Sequence, residues 1–352
     1  MKTFSYKISL LLVIILFSVT DIVAQVNQNN LRNVNLQKNI SENSDGDLVQ
    51  IPFENARIKR VNTKIIKTLK RGEYLESILA DYDGALYTAD YYNGVIYKVK
   101  DGDLSVFWKI DGNPLGLAWA DEERILVSVV DVDGLNKVYI LDNEGNSKLI
   151  AKLPDAQLIK RITSLNDQEY LISDTFKCVI WKLNLVDDSV SLWCESPLLK
   201  RKNNKSIIPG VNGMKVYHDT LFVSNTSKRL LLKIPILDNN KAGQPEVIKK
   251  NVVIDDFIID YYGNIYATTL FYDSVVKIDP YGEVTIIAQS DQGMQGCTSI
   301  TARQMKKHIN VRKSNIKKLI RLQKVLYVAT DGGLLSSNKY DMRAAKIIEL
   351  HL

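Results

Sequence analysis

Glu76, Asn212 and Asp255 stand far apart along a chain of 352 residues, and all three carry hard oxygen atoms. Gathered at one point, they would bring two negative charges and suit a hard divalent cation such as calcium or magnesium, with water completing the shell. Asp255 and Asp256 would then be candidate proton acceptors, and Asn113, Arg161, Thr163 and Thr298 candidate contacts for a small-molecule substrate or ligand. Histidine is nearly absent: His218, His308 and His351 all fall away from these positions, which disfavours zinc, copper and a Ser-His-Asp arrangement. Each residue also has a plainer reading. Glu76 could be a solvated strand-end acid, Asn212-Gly213 a simple turn and Asp255-Asp256 an exposed acidic pair, with Asn113, Thr163 and Thr298 as structural hydrogen-bonders.

A repeated strand pattern is what must position these side chains. From about Ile58 the chain is a series of short apolar runs separated by Asp, Asn and Gly, the signature of an all-β fold. One phrase recurs, a turn and a strand that ends near Asp or Asn. Clear copies are Asp83–Asp90 and Tyr262–Thr269; Glu169–Asp174, Asp219–Asn225, Val325–Asp331 and Arg124–Val130 bring the total to six. Copies roughly 40–60 residues apart, each with room for about four strands, predict a six-bladed β-propeller in preference to a sandwich. The innermost strand of each blade lines the channel, and its start should lie near Glu76, Asn113, Arg161 to Thr163, Asn212, Asp255 and Thr298. Closure of the ring is expected from pairing of Ala345–Leu350 with a segment near Thr63–Leu69.

On these motifs the chain resembles the senescence-marker-protein/gluconolactonase family, also called regucalcin-like. Tyr74-Leu75-Glu76, Ile208–Met214 and Ile254–Gly263 carry the resemblance, which covers roughly residues 70–350. It implies a six-bladed propeller with one divalent cation in the channel, often calcium, held here by Glu76, Asn212 and Asp255, and hydrolysis of a lactone or ester. In that mechanism Asp255 or Asp256 takes the proton from a metal-bound water, while Arg161 or Asn113 steadies the oxyanion. Three departures stand out. Arg161-Ile162-Thr163 replaces a channel Asn-Asp pair, Ser77-Ile78 follows Glu76 where Gly-Pro is usual, and Asp256 stands where Gly is common. An arginine beside a cation repels it unless it points elsewhere or binds an anionic substrate group. A second function therefore competes with hydrolysis: a non-catalytic small-ligand-binding or scaffold propeller.

The rest of the sequence gives an address and a few loose ends. Lys2 and Lys7 precede an apolar run from Ile8 to Val19, and Ala24 is a small residue before Gln25. Residues 1–24 read as a signal peptide, too short and too interrupted at Asp21 for a transmembrane anchor, and predict a secreted or periplasmic protein. Residues 25–56 read as a polar linker and 57–352 as the propeller. Net charge is +6, but 303–324 holds nine Lys or Arg and no acid, so the remainder is mildly acidic and no nucleic-acid partner is expected. The basic insertion at 302–324 reads as a solvated excursion, or as a contact for an anionic surface. Cys178 and Cys194 lie on two arms of one predicted hairpin, where either a bridge or two free thiols would fit. Sequons begin at Asn39, Asn204 and Asn225.

Overall fold

A computed structural model of the chain describes Phe53 and residues 56–204, 207–303, 324–334 and 343–352. The expected signal peptide, nearly all of the linker, the sequon at Asn39 and the body of the basic insertion lie outside the described residues.

Six antiparallel sheets form the predicted six-bladed propeller. Blade 1 runs through Leu75–Ala80, Leu86–Asp90, Val95–Lys100 and Asp103–Lys109. Blade 2 is Gly112–Trp119, Ile125–Asp131, Asn136–Leu141 and Ser147–Leu153. Blade 3 is Ile159–Ser164, Glu169–Asp174, Val179–Asn184 and Ser189–Glu195. Blade 4 begins with Val211–Val216, Thr220–Asn225 and Leu230–Leu237, against which Glu246–Lys250 pairs. Blade 5 is Phe257–Ile259, Ile265–Thr269, Ser274–Ile278 and Val284–Ala288, with Arg57–Ile58 added in parallel. Blade 6 takes Cys297–Ala302, Val325–Thr330 and Ala344–His351 from the end of the chain and its outermost strand, Asn62–Arg71, from the beginning. That last pairing is the expected closure, with Thr63 opposite Leu350 and Ile65 opposite Ile348.

Every strand sequence has to satisfy two neighbours. A core cluster lies between each pair of adjacent blades, so a middle strand is buried on both faces. Leu86–Asp90 and Ile125–Asp131 are buried at every position, which explains why they read as continuous runs instead of alternating ones. Their terminal acids serve the turns that follow. Asp90 accepts the amide of Asn93, Asp174 those of Gln157, Leu158 and Lys177, and Asp331 those of Gly333 and Leu334. Asn225 does similar work, donating to Leu198 O and Lys200 O at 2.8 and 2.9 Å and accepting from Lys228 N. Buried and tied in this way, it is no glycan acceptor in the folded protein.

Cys178, Cys194 and Cys297 are free and buried. Cys194 pairs across the hairpin with Ile180, and Cys178 sits in the turn at φ 62°, so the two do not face one another. Burial, then the charge of Glu195, pushes the Cys194 thiol up to about 11. A thiol reagent at neutral pH should therefore label none of these cysteines in the native protein and all three after denaturation without reductant. A shortfall in the denatured count would reveal a bridge.

Candidate functional site

The inner strand of every blade is irregular at its channel end, and this irregularity builds the site. Two residues of the inner strand oppose one of the next strand, a β-bulge that re-aims side chains. The ladder skips between Leu75 and Ser77, Pro114 and Leu117, Ile159 and Ile162, Val211 and Met214, and Cys297 and Ser299. In blade 5, Asp255 N donates to Thr268 O while Thr268 N donates to Asp256 O, placing both acids opposite one residue in the same manner. The first bulge residues are Glu76, Leu115, Lys160, Asn212, Asp255 and Thr298. The second are Ser77, Gly116, Arg161, Gly213, Asp256 and Ser299.

A hydroxyl on the next strand secures four of the bulges. Ser128, Ser173, Ser224 and Thr268 accept the amides of Gly116, Arg161, Gly213 and Asp256 at 2.7 to 3.1 Å. In blades 1 and 6 the opposing residue is Ala89 or Ala329, and the hydroxyls of Ser77 and Ser299 bond the neighbouring blade instead, accepting from Leu117 N and donating to Asp256 Oδ2. Small second residues let adjacent blades approach. A Cβ on Gly116 would stand 1.9 Å from Lys160 O, and one on Gly213 2.8 Å from Asp255 O.

At the axis the side chains partner one another. Lys160 Nζ lies 2.9 Å from Glu76 Oε1 and 3.0 Å from Asp255 Oδ1. Asn212 Nδ2 donates to the same Asp255 oxygen at 2.6 Å and to Thr226 Oγ1 at 3.0 Å. Arg161 reaches across the channel from blade 3. It donates from Nη1 to Glu76 O at 2.8 Å and from Nη2 to Thr298 O at 3.0 Å, with Glu76 Oε1 at 3.3 Å and Asp255 Oδ2 at 3.5 Å. Asp256 accepts from Ser299 Oγ at 2.7 Å and faces Lys215 at 3.5 Å. All of these except Lys215 are buried.

Burial and charge pull these groups in opposite directions. Burial would lower the Lys160 ammonium, but Asp255 and Glu76 outweigh it and hold the amine above its ordinary range. Arg161 is likewise raised, burial being overcome by Asp256, Glu76 and Asp255. Burial pushes the Glu76 carboxyl up despite Lys160 and Arg161. Asp256 goes the other way, since Lys215, Arg161 and Ser299 outweigh its burial and hold it below the usual carboxylate range.

Six of the residues singled out in the sequence therefore meet: Glu76, Arg161, Asn212, Asp255, Asp256 and Thr298. Thr298 joins through its carbonyl, while its hydroxyl donates to Leu75 O and Ala329 O. Two stand apart. Asn113 precedes the bulge of blade 2 and donates to Tyr91 O at 2.7 Å, and Thr163 lies beyond the bulge of blade 3, in regular pairing with Leu171. Lys160 escaped the sequence reading. Its signal was the bulge register: an apolar residue, then a channel residue, as in Leu75-Glu76, Ile159-Lys160, Val211-Asn212 and Ile254-Asp255.

The residues present do not fit a divalent cation. The ammonium stands between Glu76 and Asp255, two of the three expected ligands, and the guanidinium is within 3.5 Å of both. At an effective dielectric constant near 20, a divalent ion about 4 Å from one buried positive charge meets roughly 8 kcal/mol of repulsion. Among the described residues, no group of three or more His, Cys, Asp or Glu is arranged to hold a metal.

Solved structures that resemble this fold include a luciferin-regenerating enzyme, with 13% identity over 83% of this chain and 95% of that one and a TM-score of 0.62. A gluconolactonase from Xanthomonas campestris shares 13% over 84% and 91%, with a TM-score of 0.60. A calcium-binding protein, regucalcin, from Agrobacterium tumefaciens shares 13% over 84% and 95%, with a TM-score of 0.61. The last two are of the gluconolactonase and regucalcin type that the sequence motifs resemble, and at this identity the likeness is one of fold. No protein-family model matches the sequence, and no curated protein does.

Two outcomes test the cluster. Arg161→Lys keeps the charge but loses the fork that spans two carbonyls, so urea unfolding should show a loss of about 3 kcal/mol; a loss under about 1 kcal/mol would contradict the arrangement. Asp256, held low in the folded state, contributes stability above its unfolded value near 4, and that contribution disappears as pH falls through the folded value. Asp256→Asn should flatten the acid limb of stability against pH. An unchanged limb would count against the pairing.

Proposed function

We propose that this chain is a small-ligand-binding propeller whose channel mouth receives an organic molecule and whose floor is a metal-free ionic cluster. The observation that carries the reading is the contact of Lys160 with both Glu76 and Asp255, which commits the would-be metal ligands to an internal cation. The competing reading, metal-dependent hydrolysis of a lactone or related ester, needs Asp255 or Asp256 free to take a proton. Both are buried and paired with Lys160, Arg161 or Lys215. The gluconolactonase and regucalcin neighbours support a related architecture and leave the chemistry to the residues of this chain.

Aromatic side chains next to the ionic cluster offer chemistry suited to binding. Tyr74, Tyr91 and Tyr92 pack edge to face, with ring centroids 5.1 to 6.1 Å apart, beside the start of the inner strand that carries Glu76. Burial, then the Glu76 charge, pushes Tyr91 up to about 12, so its phenol stays a hydrogen-bond donor at physiological pH. Aromatic faces with phenolic donors favour a flat, weakly polar ligand that carries acceptor oxygens. Among the described residues no helix is long and apolar enough to cross a membrane. With the apolar N-terminal run as support, we place the protein outside the cytoplasm.

A panel of sugar lactones, aliphatic lactones and aryl esters, assayed with calcium, magnesium, manganese or zinc and again with a chelator, tests the reading. The expected result is no turnover above background in any condition. Turnover that the chelator abolishes and calcium restores would overturn it.

A further inference from the structure

We propose that the adjacent pair Lys160-Arg161 is a built-in dication, replacing a divalent ion at the point where Glu76, Asn212 and Asp255 converge, and that deleting both charges opens a calcium-type site there. The inference rests on the metal-free reading above and goes further, because it assigns the replacement to two residues and predicts what their removal creates.

Charge and position both support it. Lys160 and Arg161 carry together the charge of one divalent cation, and both reach Glu76 Oε1 and the Asp255 carboxylate at 2.9 to 3.5 Å. The third acid, Asp256, has Lys215 as its further partner. The cluster is thus balanced without any added ion. A divalent ion placed among these groups would leave two positive charges in excess within a buried site, where uncompensated charge is costly.

The buried oxygen atoms of these residues point to a latent ligand set. Glu76 Oε1 and Asp255 Oδ2 are met by the cations, Glu76 Oε1 by Lys160 and Arg161 and Asp255 Oδ2 by Arg161, and Asn212 Oδ1 has no hydrogen-bond donor among the described residues. Glu76 Oε1 takes the ammonium at 2.9 Å, and Asn212 spends its amide nitrogen on Asp255 and Thr226. Buried acceptors call for a partner, and here the carboxylates find theirs in the two cations. With the ammonium and guanidinium gone, the three oxygens would face one vacated point, with two carboxylates repelling each other across it. A hard divalent ion is the partner that satisfies both the oxygens and the charge, with water filling the remaining positions.

The three oxygens come from three separate blades, and the main chain behind each is pinned independently of Lys160. Asn212 is followed by the Gly213–Ser224 contact and Asp255 by the Asp256–Thr268 contact, at 2.8 and 3.1 Å. Leu75 O accepts from the Thr298 hydroxyl, just ahead of Glu76. These contacts remain when the third blade loses its charges, while the Arg161 bonds to Glu76 O and Thr298 O are lost.

The experiment compares the native sequence, Lys160→Ala/Arg161→Ala, and that double variant with Asp255→Asn added. Each is titrated with calcium while thermal unfolding and calorimetric binding are followed. The native protein should bind no calcium at the channel and show no shift. The double variant, destabilised in chelator, should take up one ion per chain and gain about 5–10 °C at calcium well above its dissociation constant. Adding Asp255→Asn should abolish that gain. If the native protein binds one calcium ion per chain and is stabilised by it, both the metal-free reading and this inference fail. If the native protein stays empty but the folded double variant also binds nothing, only the inference fails. A double variant that remains unfolded when refolded in calcium overturns it as well, since the ion should restore the missing charge.

Discussion

An ammonium buried in a protein keeps its charge only where carboxylates meet it at contact distance, and Lys160 meets two, contributed by blades 1 and 5. That contact sets the character of the channel. It draws Glu76 and Asp255 to one point, gives Asn212 its partner on Asp255, and leaves Arg161 to cross beneath and bond the backbone of blades 1 and 6. Without the two cations, three buried acids would face one another with Lys215 as their remaining cationic partner. With them, the axis is a balanced network that fastens blade 3 to the opposite side of the ring.

The network can form because the propeller presents the same irregularity in every blade. Each bulge exposes one residue to the axis and turns the next toward the neighbouring blade, where size is limiting. Gly116 and Gly213 obey that limit, as the close carbonyls of Lys160 and Asp255 show, and Ser77 and Ser299 obey it with a hydroxyl. Asp256 is larger and meets Ser299 of blade 6, while Arg161, the largest, sends its side chain across the channel instead. This departure from the pattern of a small second residue is the structural origin of the closed floor.

The architecture was legible in the sequence because each blade must fill two identical kinds of interface. Six interfaces demand six copies of one strand phrase, and pairing of Ala344–His351 with Asn62–Arg71 follows from the need to close the ring. The meeting of Glu76, Asn212 and Asp255 was legible too, since each stands directly after an apolar residue that ends the regular ladder. The errors of placement came from the bulge. One extra residue shifts the channel-facing position, so Asn113 and Thr163 fall outside the cluster while Leu115 and Lys160 hold the ring positions. Lys160 went unnoticed because a lysine at a strand start ordinarily reads as solvated. The register Ile159-Lys160 marks its position, but its burial as a cation depends on two acids far away in the chain.

The most direct measurement is a high-resolution crystal structure of the native protein grown in excess calcium. The Lys160 side chain should end at the channel axis, with its nitrogen at hydrogen-bonding distance from Glu76 and Asp255, and no metal density should lie between these residues. A calcium ion coordinated by Glu76, Asn212 and Asp255, with Lys160 swung away from the axis, would contradict the assignment of the cluster as a resident cation.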